Sequence, residues 1–441
     1  MSSTEPLTEP AATPQPSKKA RRRAAASSLV GTSIEWYDYY LYGTAAALVF
    51  PTVFFPEDEG VTAVIKAFAT YAVGFAARPI GGFVFGHFGD RICRKQMLMI
   101  SLLLMGAATF LIGVLPGEAQ VGIWAPIMLI VLRLVQGFAV GGEWGSAVVM
   151  SVEFAPPGKR GLYGSFPQMG VPIGLLLSTG VFALFQAGLG PEEFLAWGWR
   201  VPFLLSGVLV LIGLFVRLAV TESPVFAAAK EADALAARPS AEVLKKEWRI
   251  LGLAVGSKFF QNAIFYLYSV FLLSYISTTL RFDPLWGTLA VVISSAIGFI
   301  SVPGWSWLTD KVGRKPVYLG GIVLGAAFYP FSWSFVESGS FVFLTIAMVI
   351  GLNLLHDMIY GPQAVYFAEL FATRVRLSGA SIAYQIGAML SGGFAPLIAT
   401  GLLAFGGGDT TLITVYALAL AAISAVCTIL LPETFKGSLR S

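Results

Sequence analysis

Runs of about twenty apolar residues recur from Val30 to Leu431, and no other feature constrains this chain so strongly. A helix rises about 1.5 Å per residue, so ~20 residues cross a hydrocarbon layer of ~30 Å. In lipid only helices and closed barrels satisfy every backbone N–H and C=O. The runs are too long for strands and show no period-two alternation, so the expected fold is an all-α membrane protein. Twelve spans are predicted, near residues 29–54, 61–85, 97–116, 123–150, 162–188, 199–220, 250–279, 285–308, 316–336, 341–369, 377–404 and 411–431. Composition agrees: 56% of residues are hydrophobic and 12% charged, against roughly 25% charged in soluble domains.

The charges mark the two sides. Lys18, Lys19, Arg21, Arg22 and Arg23 precede the first span; Arg91, Arg94, Lys95, Lys159, Arg160, Lys311, Arg314, Lys315, Arg374 and Arg376 fall in alternate loops. The intervening loops hold Glu57, Asp58, Glu118, Glu192, Glu193, Glu337 and Asp409, with Arg281 as the exception. By the positive-inside rule the basic loops and both termini are cytoplasmic, and the chain is expected in the cell inner (plasma) membrane. Placed like this, the net charge of +4 reports orientation and gives no reason to expect nucleic acid. Residues 1–28 read as a disordered cytoplasmic arm, 29–220 as a first six-helix half, 221–249 as a cytoplasmic linker, 250–431 as a second half and 432–441 as a tail. Cys93 and Cys427 lie too far apart in this arrangement to bridge.

The halves echo one another. Gly86-His-Phe-Gly-Asp-Arg-Ile-Cys-Arg-Lys95 aligns with Ser306-Trp-Leu-Thr-Asp-Lys-Val-Gly-Arg-Lys315, half a chain away, and Glu153 precedes Arg160 as Glu369 precedes Arg376. Parallel repeats of six spans characterise two-half transporters. Asp90, Arg91 and Arg94, with Asp310, Lys311 and Arg314, set charges against helix ends where Glu153, Arg160, Glu369 and Arg376 can pair with them. Such clusters are expected to gate by latching one conformation.

Ionisable side chains inside the spans are costly, by ~2.5–3.5 kcal/mol on insertion scales, and so point to function. Glu35 and Asp38 share a face of the first helix with Tyr42; they can exchange a proton, or clamp an arginine or backbone amides. Arg78 precedes Pro79-Ile-Gly-Gly82 and is expected to anchor substrate, with pairing to Asp38 or Glu35 as the structural alternative. Arg133, Gln136, Val140 and Glu143 fall on one face of the fourth helix; the first two can recognise an anion, and Glu143 can carry a proton or neutralise the arginine. In the second half Lys258, Gln261, Asn262 and Tyr266 form a polar wall, with Asn353, His356, Asp357 and Tyr360 in the tenth helix, Gln385 in the eleventh and Gln168 in the fifth. His356 beside Asp357 is the pH-sensitive pair, or else a satisfied buried histidine.

The loop motif 86–95, with Gly31-Thr-Ser-Ile-Glu-Trp-Tyr-Asp-Tyr-Tyr40, Ala77-Arg-Pro-Ile-Gly-Gly82, Arg133-Leu-Val-Gln-Gly-Phe-Ala-Val-Gly-Gly-Glu143 and Trp197-Gly-Trp-Arg-Val-Pro202, resembles the major facilitator superfamily and, within it, the metabolite:proton symporter family. Cys93 stands where the superfamily's loop has glycine. The resemblance covers nearly all the chain after residue 28 and implies alternating access around a central cavity between two six-helix halves. It also implies a proton role for the acidic pair Glu35 and Asp38. Members carry α-ketoglutarate, shikimate, citrate, proline or betaine.

The expected function is therefore proton-coupled import of a small polar organic acid, such as shikimate or a related mono- or dicarboxylate, by a monomer in the bilayer. Import of a zwitterion such as proline or betaine is the alternative; the osmosensory members carry a long C-terminal coiled coil, and here the sequence runs only to Ser441. Efflux by antiport is a further one. No phosphate loop, metal-spaced His/Cys cluster or Gly-x-Ser-x-Gly elbow is present, so neither enzyme activity nor a metal or other cofactor is expected.

Overall fold

The computed structural model describes residues 18–58, 60–91, 94–141, 144–153, 155–156, 158–218, 239–372 and 375–437, with backbone only at 18–28, 86–91, 94–95, 97–98, 146, 150, 153, 216–217 and 239. Twelve helical rods run through them: α1 (Lys18–Leu48), α2 (Val61–Arg91), α3 (Arg94–Val114), α4 (Trp124–Val140, then Trp144–Glu153), α5 (Arg160–Gly188) and α6 (Arg200–Leu218) in the first half. In the second are α7 (Trp248–Thr279), α8 (Pro284–Val312), α9 (Arg314–Val336), α10 (Phe341–Leu370), α11 (Arg376–Phe405) and α12 (Thr411–Leu430). A short helix, Pro239–Lys246, lies before α7, and no strand occurs among the described residues.

Eight rods are long and apolar enough to cross a membrane on those grounds alone, and α6 joins them if the bent segment Pro191–Gly198 before it is counted. Rod α1 is the more polar one, carrying Glu35, Asp38 and four tyrosines. The described apolar stretches of α3 and α4 are Met99–Val114 and Trp124–Val140. Rod α1 also begins at Lys18, ahead of the boundary expected at 29. Its first turns are rich in alanine, arginine and lysine, which are good helix formers and need only the nucleus that the span behind them supplies.

Small residues bring the rods of the first half close together. A methyl group on Gly137 of α4 would collide with the Gly74 carbonyl of α2, and one on Gly81 with the Phe138 carbonyl, so these backbones touch directly. Gly174 of α5 packs likewise on Trp36 and Tyr37 of α1. In the second half wide π-turns interrupt the rods at Leu267–Phe271, Ile350–His356 and Ala388–Gly393. Such turns insert an extra residue and re-aim the face that follows; here Asn353, His356 and Asp357 all become buried. The outer surface presents Phe83, Leu211, Phe215, Ile300 and Phe405, the covering a bundle shows to hydrocarbon.

The halves meet at both ends of the bundle. At the face bearing the linker and C-terminal tail, Asp310 of α8 accepts the N–H groups of Gly161 (2.8 Å) and Leu162 (3.0 Å) at the start of α5. At the far face the Thr288 hydroxyl of α8 donates to Gln186 Oε1 of α5 over 3.1 Å. The site between is closed above and below.

Candidate functional site

Three cations from three different rods reach the middle of the bundle: Arg78, Arg133 and Lys258, exposed by 1%, 0% and 0%. The Arg78 guanidinium carbon stands 4.0 Å from the ring centre of Tyr39, 4.5 Å from Phe75 and 5.7 Å from Trp36. That of Arg133 lies 4.2 Å from Tyr42, 4.4 Å from Tyr39 and 4.6 Å from Tyr71. Arg133 Nη1 donates to Gln136 Oε1 (3.1 Å), and Gln136 Nε2 in turn donates to Thr109 (2.7 Å). Lys258 Nζ lies 3.7 Å from the centre of the Tyr384 ring and donates to Gln363 Oε1 (2.9 Å) and Gln261 Oε1 (3.2 Å).

None of the three forms an ion pair with a described carboxylate, so the pairing of Arg78 with Asp38 weighed from sequence is not made here. Burying a charge costs several kcal/mol, and ring faces return about 2 kcal/mol each when desolvated. The balance is left in donors: Nε and Nη2 of both arginines are buried without an acceptor. Among the described residues these cations have no ion-pair partner, and their free donors suit an anion.

Of the acids of α1, Glu35 reaches this cluster's cavity. Asp38 is buried, and neither carboxyl oxygen has a hydrogen-bond partner among the described residues; the Thr109 hydroxyl donates to the Met105 carbonyl. Glu35 lines the same small cavity as Trp36, Tyr39, Arg78, Trp144 and Tyr384. That cavity measures about 20 Å³, room for one ordered water. Tyr42, which shares a helix face with the acids, gives its hydroxyl proton to Thr70 over 2.7 Å.

In the second half the predicted polar wall forms a continuous hydrogen-bond chain. Gln261 Nε2 contacts His356 Nε2 at 2.7 Å, His356 Nδ1 contacts Asp357 Oδ1 at 2.9 Å, and Asp357 Oδ2 accepts from Ser301 and, at 3.2 Å, from Asn353 Nδ2. Asn353 also accepts from Ser294 (2.8 Å). Three further candidates are engaged with backbone. Gln168 accepts from Trp144 Nε1 (2.8 Å) and donates to the Tyr360 carbonyl (2.9 Å), tying the halves together. Asn262 donates to the Ala388 carbonyl (3.2 Å), Gln385 to that of Gly141 (3.2 Å), and Tyr266 packs edge-on to Phe75.

At the linker face Arg314 is the hub. It donates to Asp310 (2.8 Å) and reaches Glu369 with two nitrogens, at 3.2 and 3.3 Å, while Arg160 approaches Glu369 at 3.7 Å from the other half. Arg376 donates to the Ala368 carbonyl (3.0 Å). Lys311 sits over Trp307 at 3.8 Å rather than on a carboxylate, since its turn of α8 points outward. The predicted Asp90, Arg91, Arg94, Glu143 and Glu153 lie outside the residues whose side chains are described.

Sequence reading missed Gln363, which is fully buried and binds Lys258, Gln261 and Tyr318 together. The spacing 356, 360, 363 would have found it, since it continues one helical face beyond the π-turn. It also missed Trp144, stacked on Tyr384 at 3.8 Å, and the tyrosine cage. Those contacts join distant rods and leave no local signal.

Two parallel six-rod halves that close over a buried polar centre, in a chain that crosses the membrane many times, define a secondary transporter and not an enzyme. The chain belongs to the sugar (and other) transporter family, which it matches over residues 24–249 and 240–441, and so to the major facilitator superfamily. It is 39% identical over 420 residues to the shikimate transporter of Escherichia coli strain K12, covering 94% of this chain and 95% of that one. It is also 39% identical over 431 residues to the inner membrane metabolite transport protein YhjE of the same organism, covering 95% and 96%. Among solved structures it resembles the proton:xylose symporter XylE, with a TM-score of 0.73, 17% identity and coverage of 96% and 98%. That likeness concerns the fold.

Proposed function

We propose that this transporter is a proton-coupled symporter importing a small polar organic acid, such as shikimate or a related mono- or dicarboxylate, by alternating access. The observation that carries the reading is the set of three buried cations, none of them ion-paired with a carboxylate among the described residues. A substrate carboxylate supplies the missing acceptor, with Arg78, Arg133 and Lys258 as anchors. Gln136, Gln168, Gln261, Asn262, Tyr266, Asn353 and Gln385 are available for hydroxyl or carbonyl groups once the halves part. Glu35, Asp38, Glu143, His356 and Asp357 are the candidates to hold the proton, and the Arg314–Glu369–Arg160 cluster, with Asp90, Arg91, Arg94, Glu153, Asp310, Lys311 and Arg376, is the gate. The protein acts as a monomer in the cell inner membrane with both termini cytoplasmic, a placement supported by the loop charges.

Uptake by proteoliposomes under an imposed pH gradient, across a panel of shikimate, citrate and α-ketoglutarate, tests this. Inward-directed protons should accelerate accumulation of at least one carboxylate, and the absence of acceleration for all of them rejects the reading.

A zwitterion is the second reading. The stacked rings of Trp36 and Tyr40 (5.1 Å) and of Trp144 and Tyr384 (3.8 Å) offer faces for a quaternary ammonium. Displacement of bound substrate by betaine but not by acids would favour it.

A further inference from the structure

Gln261 occupies an unusual position between two charged or chargeable groups. Its Oε1 receives two donors, Lys258 Nζ at 3.2 Å and Gln363 Nε2 at 3.2 Å, which fixes which end of the amide is oxygen. Its Nε2 therefore donates to His356 Nε2 at 2.7 Å, so that ring nitrogen carries no proton. The proton sits instead on Nδ1 and points to Asp357 Oδ1 at 2.9 Å. For His356 to take a second proton, Gln261 must turn over and present its oxygen. It cannot do so while Lys258 and Gln363 hold that oxygen.

We propose that Gln261 is a two-position amide switch that couples occupation of Lys258 by a substrate carboxylate to protonation of His356, with Gln363 setting the resting position. The inference rests on the proton-coupled reading above and assigns it a site and a mechanism in the second half. When a carboxylate takes the Lys258 ammonium, Gln261 Oε1 loses its charged donor. The amide, then held only by the uncharged Gln363 donor, turns over, and His356 Nε2 accepts a proton from the aqueous side that is open. The imidazolium then donates from Nδ1 to Asp357 and from Nε2 to Gln261. Substrate and proton thereby favour each other's binding, as reciprocity demands of symport.

Gln363 is fully buried, and it is held in place by Tyr318, to whose hydroxyl its Nε2 donates over 3.0 Å. Asp357 is fixed by Ser301 and Asn353. The titratable groups around His356 are Asp357 and Tyr360 of α10, Lys258 of α7, Tyr384 of α11, Tyr40 of α1 and Tyr318 of α9. Arg78 of α2 adds a positive charge beyond Lys258. Of these only Asp357 offers His356 an anionic partner at hydrogen-bond distance.

The test uses purified full-length protein in weakly buffered detergent solution with a pH-indicator dye. Protons taken up are read as shikimate, citrate or α-ketoglutarate is added, using whichever of them the wild type transports. Wild type should take up about one proton per carboxylate bound. His356→Gln should bind the carboxylate and take up none. In Gln363→Met the resting amide is no longer pinned, so the pH midpoint of proton uptake should move up by about one unit. Asp357→Asn removes the counter-charge of the imidazolium and should move it down. Opposite shifts in two neighbouring buried variants are not produced by general loosening, and thermal unfolding of each variant checks that it is folded. Undiminished proton uptake in His356→Gln, or an unmoved midpoint in Gln363→Met, overturns the switch. A wild type that takes up no proton with any carboxylate, and is not accelerated by a pH gradient, sinks the symport reading itself.

Discussion

Arg78 and Arg133, from different helices, both stack on the ring of Tyr39, with guanidinium carbons 4.0 and 4.4 Å from its centre. One aromatic side chain thus supports two of the three buried cations, while its own hydroxyl is buried without a hydrogen-bond partner. The ring is what matters. Tyr39→Phe should keep most of the substrate affinity, whereas Tyr39→Leu should weaken it about tenfold, corresponding to ~1.4 kcal/mol of lost cation–π attraction. Equilibrium binding of the transported carboxylate by calorimetry distinguishes the two variants; equal losses would assign the role to the hydroxyl.

Lys258 bears on substrate class. Lys258→Met removes a charged donor worth ~1.5–3 kcal/mol, so KM for a carboxylate should rise by roughly 10- to 100-fold. The amide analogue of the same compound has no charge to lose and should be bound weakly and nearly alike by both proteins. A Lys258→Met protein with unchanged KM for the acid would remove the lysine from the anion site.

At the linker face Arg314 holds both Asp310 and Glu369, and all three are nearly inaccessible. Arg314→Ala would leave two buried carboxylates without their shared cation, a loss of ~3 kcal/mol or more from the state closed at that face. The population should shift toward opening there. A reporter cysteine at Ser306→Cys, in a background with Cys93→Ser and Cys427→Ser, should react faster with a water-soluble maleimide when Arg314→Ala is present. Equal rates would mean the cluster does not latch.

The α2–α4 seam should be the least tolerant of added volume. Gly137→Val drives side-chain atoms into the Gly74 backbone, an overpacking cost of ~3 kcal/mol, and should lower the Tm of the solubilised protein by several degrees. Gly180→Ala on α5 is the control, since an added methyl there meets open space. A Gly137→Val protein as stable as that control would show that the seam can relax.

The architecture was legible because lipid imposes length and apolarity on each rod separately, and the expected spans lie within a few residues of the observed helices at most ends. Arg78, Arg133 and Lys258 were legible for the same reason: a charge in an apolar run is conspicuous. Partnership was not. Nothing in the run of α1 says that Tyr39 lies between two arginines, or that Trp144 stacks on Tyr384, because those contacts depend on how rods far apart in sequence are turned. The turning is set partly by π-turns such as Ile350–His356, which break the 3.6-residue period on which a face is counted. Gln363 was overlooked for a simpler reason, since a glutamine among alanine, valine and tyrosine carries no charge to draw notice.

A central chamber of about 20 Å³ has a kinetic corollary. No metabolite fits within it in this conformation, so a load can enter only when the halves part. Turnover therefore cannot outrun the rocking of one half against the other, and each opening admits a discrete load. Under the proposed coupling, slippage would require an excursion with only one of the two partners aboard, and the rate of that excursion separates an efficient accumulator from a wasteful one.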